Sequence, residues 1–300
     1  FDLPYYALPA GKLRRYFSLQ NFIDIFKLMW GFFRALRLLR KLKVELLFSK
    51  GGYVAVAPVV AAKLLGIPVL SHESDRDPGL ATRIIAKFAD TVMLPYRQSR
   101  EEHFPGSGEE VLVTGNPVRR EILEASAEEG RKILGIDAGR PMVLVLGGSQ
   151  GAEQLNRIID EIVDAILPVA EVVHQMGARG YSPSRKAGYH RVDFFHSEFP
   201  HILAAADIVV SRAGAGTLWE NGVLGKPAIL IPLGTGSSRG DQLRNAELYV
   251  QESAAVSLTE ESVDGPTVLQ HIKDLLEDKE KRDMICLLYT SDAADEEDSV

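Results

Sequence analysis

One pattern constrains this chain more than any other. Short apolar runs give way to glycine-bearing turns, and the turns open into stretches with helical spacing of apolar residues. Met142–Leu146 leads through Gly147–Gly151 into Ala152–Ile166. A strand buried on both faces reads as a continuous apolar run, and neighbouring parallel strands need a helical crossover. Earlier in the chain, strands are expected at Glu45–Ser49, Val69–His72, Thr91–Leu94 and Val111–Thr114, with helices over Val56–Leu65 and Leu80–Phe88. The series restarts after Gly115-Asn116-Pro117. Further strands are expected at Glu171–His174, Ile208–Ser211 and Ala228–Ile231, with helices at Thr217–Leu224 and Gln242–Gln251. Two such series predict an α/β chain of two Rossmann-like domains facing a cleft, with sites in the loops after the strands' carboxyl ends. The expected division is 1–118 and 119–285, with 286–300 set apart.

Bulk properties exclude some functions. Of 300 residues, 46% are hydrophobic and 25% charged, ordinary for a globular α/β protein. The net charge of −7 argues against nucleic acid as the main partner. The single cysteine, Cys286, excludes an intrachain disulfide and fits a reducing compartment. No uncharged apolar run approaches the ~18 residues that span a bilayer. The charge is segregated. Residues 1–43 hold nine basic residues against Asp2 and Asp24, a net +7, so the remainder carries −14. A long helix is expected at Asn21–Leu42, combining Phe22, Phe26, Trp30 and Phe33 with Arg34, Arg37, Arg40 and Lys41. It suits either a core helix with solvated charges or a basic face on an anionic membrane. The string from Cys286 to Glu296 resembles a translated sequencing adaptor, so the natural protein is expected to be cut off near Ile285.

Four loops carry candidate chemistry. Gly147-Gly148-Ser149-Gln150-Gly151 follows a strand and opens a helix, as an anion cradle does, though a plain strand-to-helix turn reads the same way. It is neither G-x-G-x-x-G nor a Walker motif. Arg212–Thr217 forms a second such loop, with Gly214, Ala215, Gly216 and Thr217 at a predicted helix start and Glu220 in its first turn. Glu220 suits the two hydroxyls of a ribose, or simply complements the helix dipole. Arg239-Gly240-Asp241-Gln242 opens the next helix, with Asp241 as a possible N-cap. His72-Glu73-Ser74-Asp75 sets a histidine beside two carboxylates and makes His72, Glu73 and Asp75 the catalytic candidates. The other histidines show no metal-ligand spacing, so neither a metal nor a cofactor is expected.

Together these motifs resemble the MurG family, N-acetylglucosaminyltransferases that use UDP-N-acetylglucosamine and an undecaprenyl-pyrophosphoryl-muramoyl-pentapeptide. The resemblance rests on SKGGYVAVAP, GIPVLSHESD, VTGNPVRREIL, VLVLGGSQGAEQLN, AAADIVVSRAGAGTLWE and RGDQLRNAE, in order from Lys50 to Glu247. It implies two domains of the GT-B glycosyltransferase architecture and a chain acting peripherally on the cytoplasmic face of the bacterial membrane. It implies that Ser149 and Gln150 contact the donor diphosphate and sugar. Ala215–Thr217 would form a second donor turn, Glu220 hold the ribose, Gln242 contact the sugar, and Arg119 act as a donor-site arginine. Asp75 falls where many members carry Asn, in H-E-Q-N. Uracil would be read by backbone just before the AAAD helix, here Phe199-Pro200-His201, where Pro200 has no N–H.

The reaction implied is inverting: the muramoyl 4-hydroxyl attacks the anomeric carbon and UDP leaves. Members open with a GGTGGH-type loop that has no counterpart here. By resemblance the chain starts roughly fifty to sixty residues late, about two βα units. Its first domain is therefore expected to be incomplete and its turnover poor. Two rival readings stay open: another UDP-sugar-dependent lipid glycosyltransferase, and a non-catalytic UDP-sugar-binding subunit.

Overall fold

The computed structural model describes residues 3–11, 19–148, 150–235, 240–259, 261, 263–280 and 282, with the side chains of 19–25 excepted. Ser149, Arg239 and the adaptor-like tail lie outside these residues. The chain divides between Asn116 and Pro117 into two compact units.

The first unit begins with α1 (Leu19–Leu42). It continues through β1 (Leu47–Ser49), a 3-10 turn (Tyr53–Ala55), α2 (Val56–Leu64), β2 (Val69–His72), α3 (Leu80–Ile85), β3 (Thr91–Leu94), α4 (Arg97–His103) and β4 (Val111–Val113). The four strands are parallel in the order β1-β2-β3-β4. Ala35 and Leu39 of α1, Val59, Ala61 and Ala62 of α2, and Val69 and Ile85 form its main core. Small residues on the facing helices let their backbones approach. Gly31 of α1 lies so close to Pro9 that a Cβ there would sit 2.1 Å from the Pro9 carbonyl oxygen.

The second unit runs through α5 (Arg120–Leu123), α6 (Ala127–Leu134), β5 (Met142–Leu146), α7 (Glu153–Ile166), β6 (Glu171–Gln175), β7 (Tyr189–Val192) and α8 (Phe199–Ala205). After these come β8 (Ile208–Ser211), α9 (Ala215–Val223), β9 (Ala228–Leu230), α10 (Asp241–Gln251), β10 (Ala255–Ser257) and α11 (Gly265–Glu277). Its six strands are all parallel, in the order β10-β9-β8-β5-β6-β7. Side chains alternate across β5 with period two. Val143 and Val145 meet Leu155, Ile159, Ile162 and Val163 of α7 and Val268, Ile272 and Leu275 of α11. Met142, Leu144 and Leu146 face Ile202 and Leu203 of α8 and Ile122 of α5. Each fully buried aliphatic side chain contributes about 1.5–3 kcal/mol, so this two-sided core anchors the loops at the strand ends.

The expected elements recur with shifted ends. The helix expected at Thr217 starts at Ala215, and the one expected to reach Phe88 stops at Ile85. β7, β10, α4, α5, α6 and α11 lie outside the expected elements. Ser126 and Asp264 cap α6 and α11 by accepting from Glu129 N and Thr267 N.

Candidate functional site

Strand order in the second unit reverses between β5 and β8: β6 and β7 build outward on one side, β9 and β10 on the other. Ligands in open parallel sheets bind beyond the carboxyl ends at such a switch point. α7 follows β5, α9 follows β8 and α10 follows β9, three adjacent strands. Their N-caps are Ala152, Gly214 and Gly240, and none offers a side-chain cap. First-turn N–H groups have no intrahelical partner, so these three starts present donors and positive dipole ends to one edge of the sheet.

Close packing shapes the first loop. Gly148 and Gly151 adopt φ of +75° and +79°. A Cβ on Gly151 would lie 2.4 Å from the Met176 carbonyl oxygen, and one on Gly177 would lie 2.2 Å from Gly151 N. Only glycine lets the turn after β6 lie directly on the loop. Gln150 is exposed beside them. Arg212, from the loop after β8, braces its neighbours. Nη1 donates to Ile231 O at 2.9 Å and Nη2 to Gln154 Oε1 at 3.2 Å. The buried Asn245 donates Nδ2 to Ala213 O at 3.2 Å. Sequence spacing hides these roles of Arg212 and Asn245, because their partners are 19 to 58 residues distant.

Glu220 is the sixth residue of α9, in its second turn, which corrects the expected first-turn placement. The cause is Gly216, which continues the helix instead of ending the loop. First-turn dipole complementarity therefore loses its basis. Arg119 donates from Nε at 3.0 Å and Nη2 at 2.9 Å to one oxygen of Glu220, Oε1. Its guanidinium also lies 5.3 Å from the Phe199 ring centroid. Gln242 Oε1 accepts from Leu233 N at 3.0 Å, which directs its amide NH2 away from that bond. The N-cap of α10 is Gly240, at φ +86°, and Asp241 is the first helical residue. Phe199-Pro200-His201 form the first turn of α8 and do not precede it. The segment before that helix is Phe194–Glu198, so Pro200 removes no donor from it. Gly214, Ala215, Gly216 and Thr217 form the N-cap and first turn of α9.

In the first unit, His72 ends β2, and its ring is held by an ammonium and a backbone carbonyl, not by Glu73 or Asp75. Lys50 Nζ donates to Nδ1 at 2.9 Å, and Nε2–H donates to Gly115 O at 2.9 Å. Burial, with the Lys50 charge adding to it, holds His72 below its ordinary pKa despite the Gly115 bond. Both nitrogens are thus committed. Desolvation also lowers Lys50, against the opposing pull of Glu73, and its ammonium further donates to Ser74 Oγ at 3.0 Å. Buried Glu73 folds the loop: Oε1 accepts from Ser74 N and Asp75 N, and Oε2 accepts from Thr82 Oγ1 at 2.5 Å. Asn116 Nδ2 closes the loop onto Ser74 O at 2.8 Å. Asp75 is half-buried at the loop's end. Elsewhere in this unit Asp77, Glu102 and His103 converge, a grouping their sequence spacing hid. Arg76 pairs with Glu102 at 2.6 Å and Arg83 lies 3.4 Å from His103, so the cluster already holds its own cations.

α1 buries Gly31, Ala35 and Leu39 and exposes Phe26, Met29, Trp30 and Phe33 beside Arg34, Arg37, Arg40 and Lys41. Among the described residues, no helix is long and apolar enough to cross a membrane.

Comparison with known proteins supplies the family. The glycosyltransferase family 28 N-terminal domain matches residues 1–94, and its C-terminal domain matches 142–296. A UDP-N-acetylglucosamine--N-acetylmuramyl-(pentapeptide) pyrophosphoryl-undecaprenol N-acetylglucosamine transferase of Treponema denticola is 43% identical over 91% of this chain and 73% of its own length. A Bacillus cereus transferase of the same description is 40% identical over 93% and 79%. Among solved structures, Acinetobacter baumannii MurG superposes with a TM-score of 0.69 at 24% identity, covering 97% of this chain and 81% of its own. The UDP-GlcNAc 2-epimerase of Neisseria meningitidis shares the fold, with a TM-score of 0.65 at 15% identity over 91% and 78%. The chain belongs to glycosyltransferase family 28 and, within it, to the UDP-N-acetylglucosamine--N-acetylmuramyl-(pentapeptide) pyrophosphoryl-undecaprenol N-acetylglucosamine transferases.

Proposed function

We propose that the second unit holds UDP-N-acetylglucosamine across the carboxyl ends of β5, β8 and β9. The sugar then passes to an undecaprenyl-linked muramoyl-pentapeptide. The observation that carries this reading is the set of three uncapped helix starts at one switch point. As the muramoyl 4-hydroxyl gives its proton to a base and forms the new bond to the anomeric carbon, the bond to UDP breaks and charge develops on the diphosphate. Preorganised N–H donors in a fixed frame stabilise such charge without rearranging. Glu220 is assigned to the ribose hydroxyls, Arg119 to the diphosphate and the Gln242 NH2 to the sugar, with Gln150 and Gly214–Thr217 lining the turn. His72, with both nitrogens engaged, is not assigned the proton of the 4-hydroxyl.

The first unit is assigned to the acceptor's membrane, on its cytoplasmic face. The aromatic and basic face of α1 supports this, because exposed Phe and Trp beside arginines suit an anionic lipid surface.

Transfer from UDP-N-acetylglucosamine to a panel of lipid acceptors tests the proposal. Product is expected with the lipid-linked muramoyl-pentapeptide and not with diacylglycerol. Transfer to diacylglycerol alone would instead favour a different lipid glycosyltransferase. Binding of UDP-N-acetylglucosamine without transfer to any acceptor would favour the binding-subunit reading.

A further inference from the structure

A buried polar chain runs beneath the Gly147–Gly151 loop, through a core otherwise filled by aliphatic side chains. Its members are Asn156, in the first turn of α7, His174 of β6 and Tyr189 of β7. His174 is fully buried, and Asn156 and Tyr189 nearly so. Asn156 Nδ2 donates to the Met176 carbonyl at 3.0 Å. Its Oδ1 must then be an acceptor, so the His174 Nε2 lying 3.0 Å away carries a proton. Burial holds His174 neutral, with its pKa about 3, which leaves Nδ1 an unprotonated acceptor 2.9 Å from the Tyr189 hydroxyl, whose single proton it shares with Asp160 Oδ1. Tyr189 reaches back to α7 through Asp160 at 3.0 Å, and Arg191 of β7 pairs with the same carboxylate.

The far end of this chain is the Met176 carbonyl, the atom a Cβ on Gly151 would strike. That carbonyl is the wall against which the loop turns into α7. Apolar packing of α7 on the sheet tolerates small sliding, because dispersion contacts are weakly directional. Hydrogen bonds are directional, and a buried group left unpaired is costly. The polar chain therefore fixes where the first turn of α7 stands relative to the turn after β6.

We propose that His174 is a positioning residue for the donor's diphosphate: by orienting Asn156, it sets the Met176 carbonyl and so the geometry of the glycine loop and the start of α7. This rests on the reading of that loop as the diphosphate site. His174 touches no ligand and acts through Asn156 alone.

The test compares UDP with uridine, which lacks the phosphates, on the whole chain carrying His174→Phe or His174→Gln. Glutamine can place an N–H where Nε2 stands; phenylalanine cannot. His174→Phe should weaken UDP binding tenfold or more and leave uridine within about twofold. His174→Gln should stay within about threefold of the wild type for both ligands. If His174→Phe does not fold, Asn156→Asp gives the same readout, because it keeps the size but sets an oxygen against the Met176 carbonyl. Equal losses for UDP and uridine, or unchanged UDP binding in the variant used, overturn the positioning role. A wild-type chain that binds UDP no more tightly than uridine overturns the diphosphate reading itself, a result visible before any variant is made.

Discussion

Replacing Glu220 by glutamine separates a ligand-binding carboxylate from a structural one. Glu220 is largely buried and Arg119 about half exposed. Their ion pair is therefore solvent-screened and contributes about 0–1 kcal/mol. In a unit of roughly 180 residues that corresponds to at most about 2–4 °C in melting temperature. Ribose recognition is worth more. Two hydroxyl bonds to a carboxylate contribute about 1.5–3 kcal/mol each, and a neutral amide offers one acceptor at about 0.5–1.5 kcal/mol. The bound state must also loosen the Arg119 contact to Oε1, which offsets up to about 1 kcal/mol. At mid-range values the net loss for Glu220→Gln is about 2.5 kcal/mol, more than tenfold in UDP affinity. Calorimetric titration with UDP and 2′-deoxy-UDP, alongside a melting curve, reads both effects. The wild-type chain should discriminate against the deoxy nucleotide and the variant should discriminate less, the coupling expected of groups in contact. Unchanged UDP affinity with a lowered melting temperature would show that Glu220 serves only to hold Arg119.

Three further outcomes follow from other parts of the molecule. Replacing Arg34, Arg37 and Arg40 with glutamine should weaken binding to anionic vesicles by about 1 kcal/mol per residue at low salt, with the wild-type affinity falling as salt rises; salt-independent binding in a flotation assay refutes the electrostatic account. His174 has a folded pKa of about 3 against roughly 6.5 when unfolded, so its contribution to stability is complete above about pH 6.5 and is lost as pH falls toward 3. Denaturant melts between pH 6.5 and 5 should show His174→Gln losing less stability than the wild type, by up to about 1.4 kcal/mol per pH unit. Gly214→Asp should raise the melting temperature and weaken UDP binding at least tenfold, about 1.4 kcal/mol, read by thermal melt and titration on the same preparation.

Local pattern revealed the elements whose burial is repetitive. β5 is continuous and apolar because both its faces are covered, and Met142–Leu146 reads so without ambiguity. β7 has the sequence Tyr-His-Arg-Val at the sheet edge, where only Tyr189 is buried, so it carries no such run. α6 was readable from Ser126 and Glu129 at capping spacing and from Gly135 in the left-handed conformation after its end, a signal short enough to be overlooked. The loops of the site were legible because glycines and strand ends mark them. Their wiring was not. Arg119 and Glu220 are 101 residues apart, and Lys50 and His72 are 22 apart. Spacing reports what one element can present, whereas such pairs exist only once several elements have packed. This explains how His72 looked like a residue flanked by acids when its ring is held by an ammonium and a carbonyl.

The Gly214→Asp prediction expresses why the site takes the form it does. Gly214 sits at φ −74° and ψ 136°, an extended conformation open to any residue, and a Cβ there meets nothing within 4 Å. Neither strain nor crowding requires glycine. A carboxylate at that position would accept first-turn N–H groups of α9 and complement its dipole, stabilising the helix by roughly 0.5–1 kcal/mol. Side-chain caps stand at Ser126 and Asp264 and are absent at the three helices that follow β5, β8 and β9, as they also are at α2, α3, α4, α5 and α8, so what sets the three apart is their place beyond the carboxyl ends of adjacent strands. A side-chain oxygen at Gly214 would occupy the donors that a phosphate needs and would repel its charge. At α9 the missing cap therefore carries a small stability cost that the aliphatic core on both faces of β5 offsets, and under the proposed function its first-turn N–H groups serve the departing diphosphate.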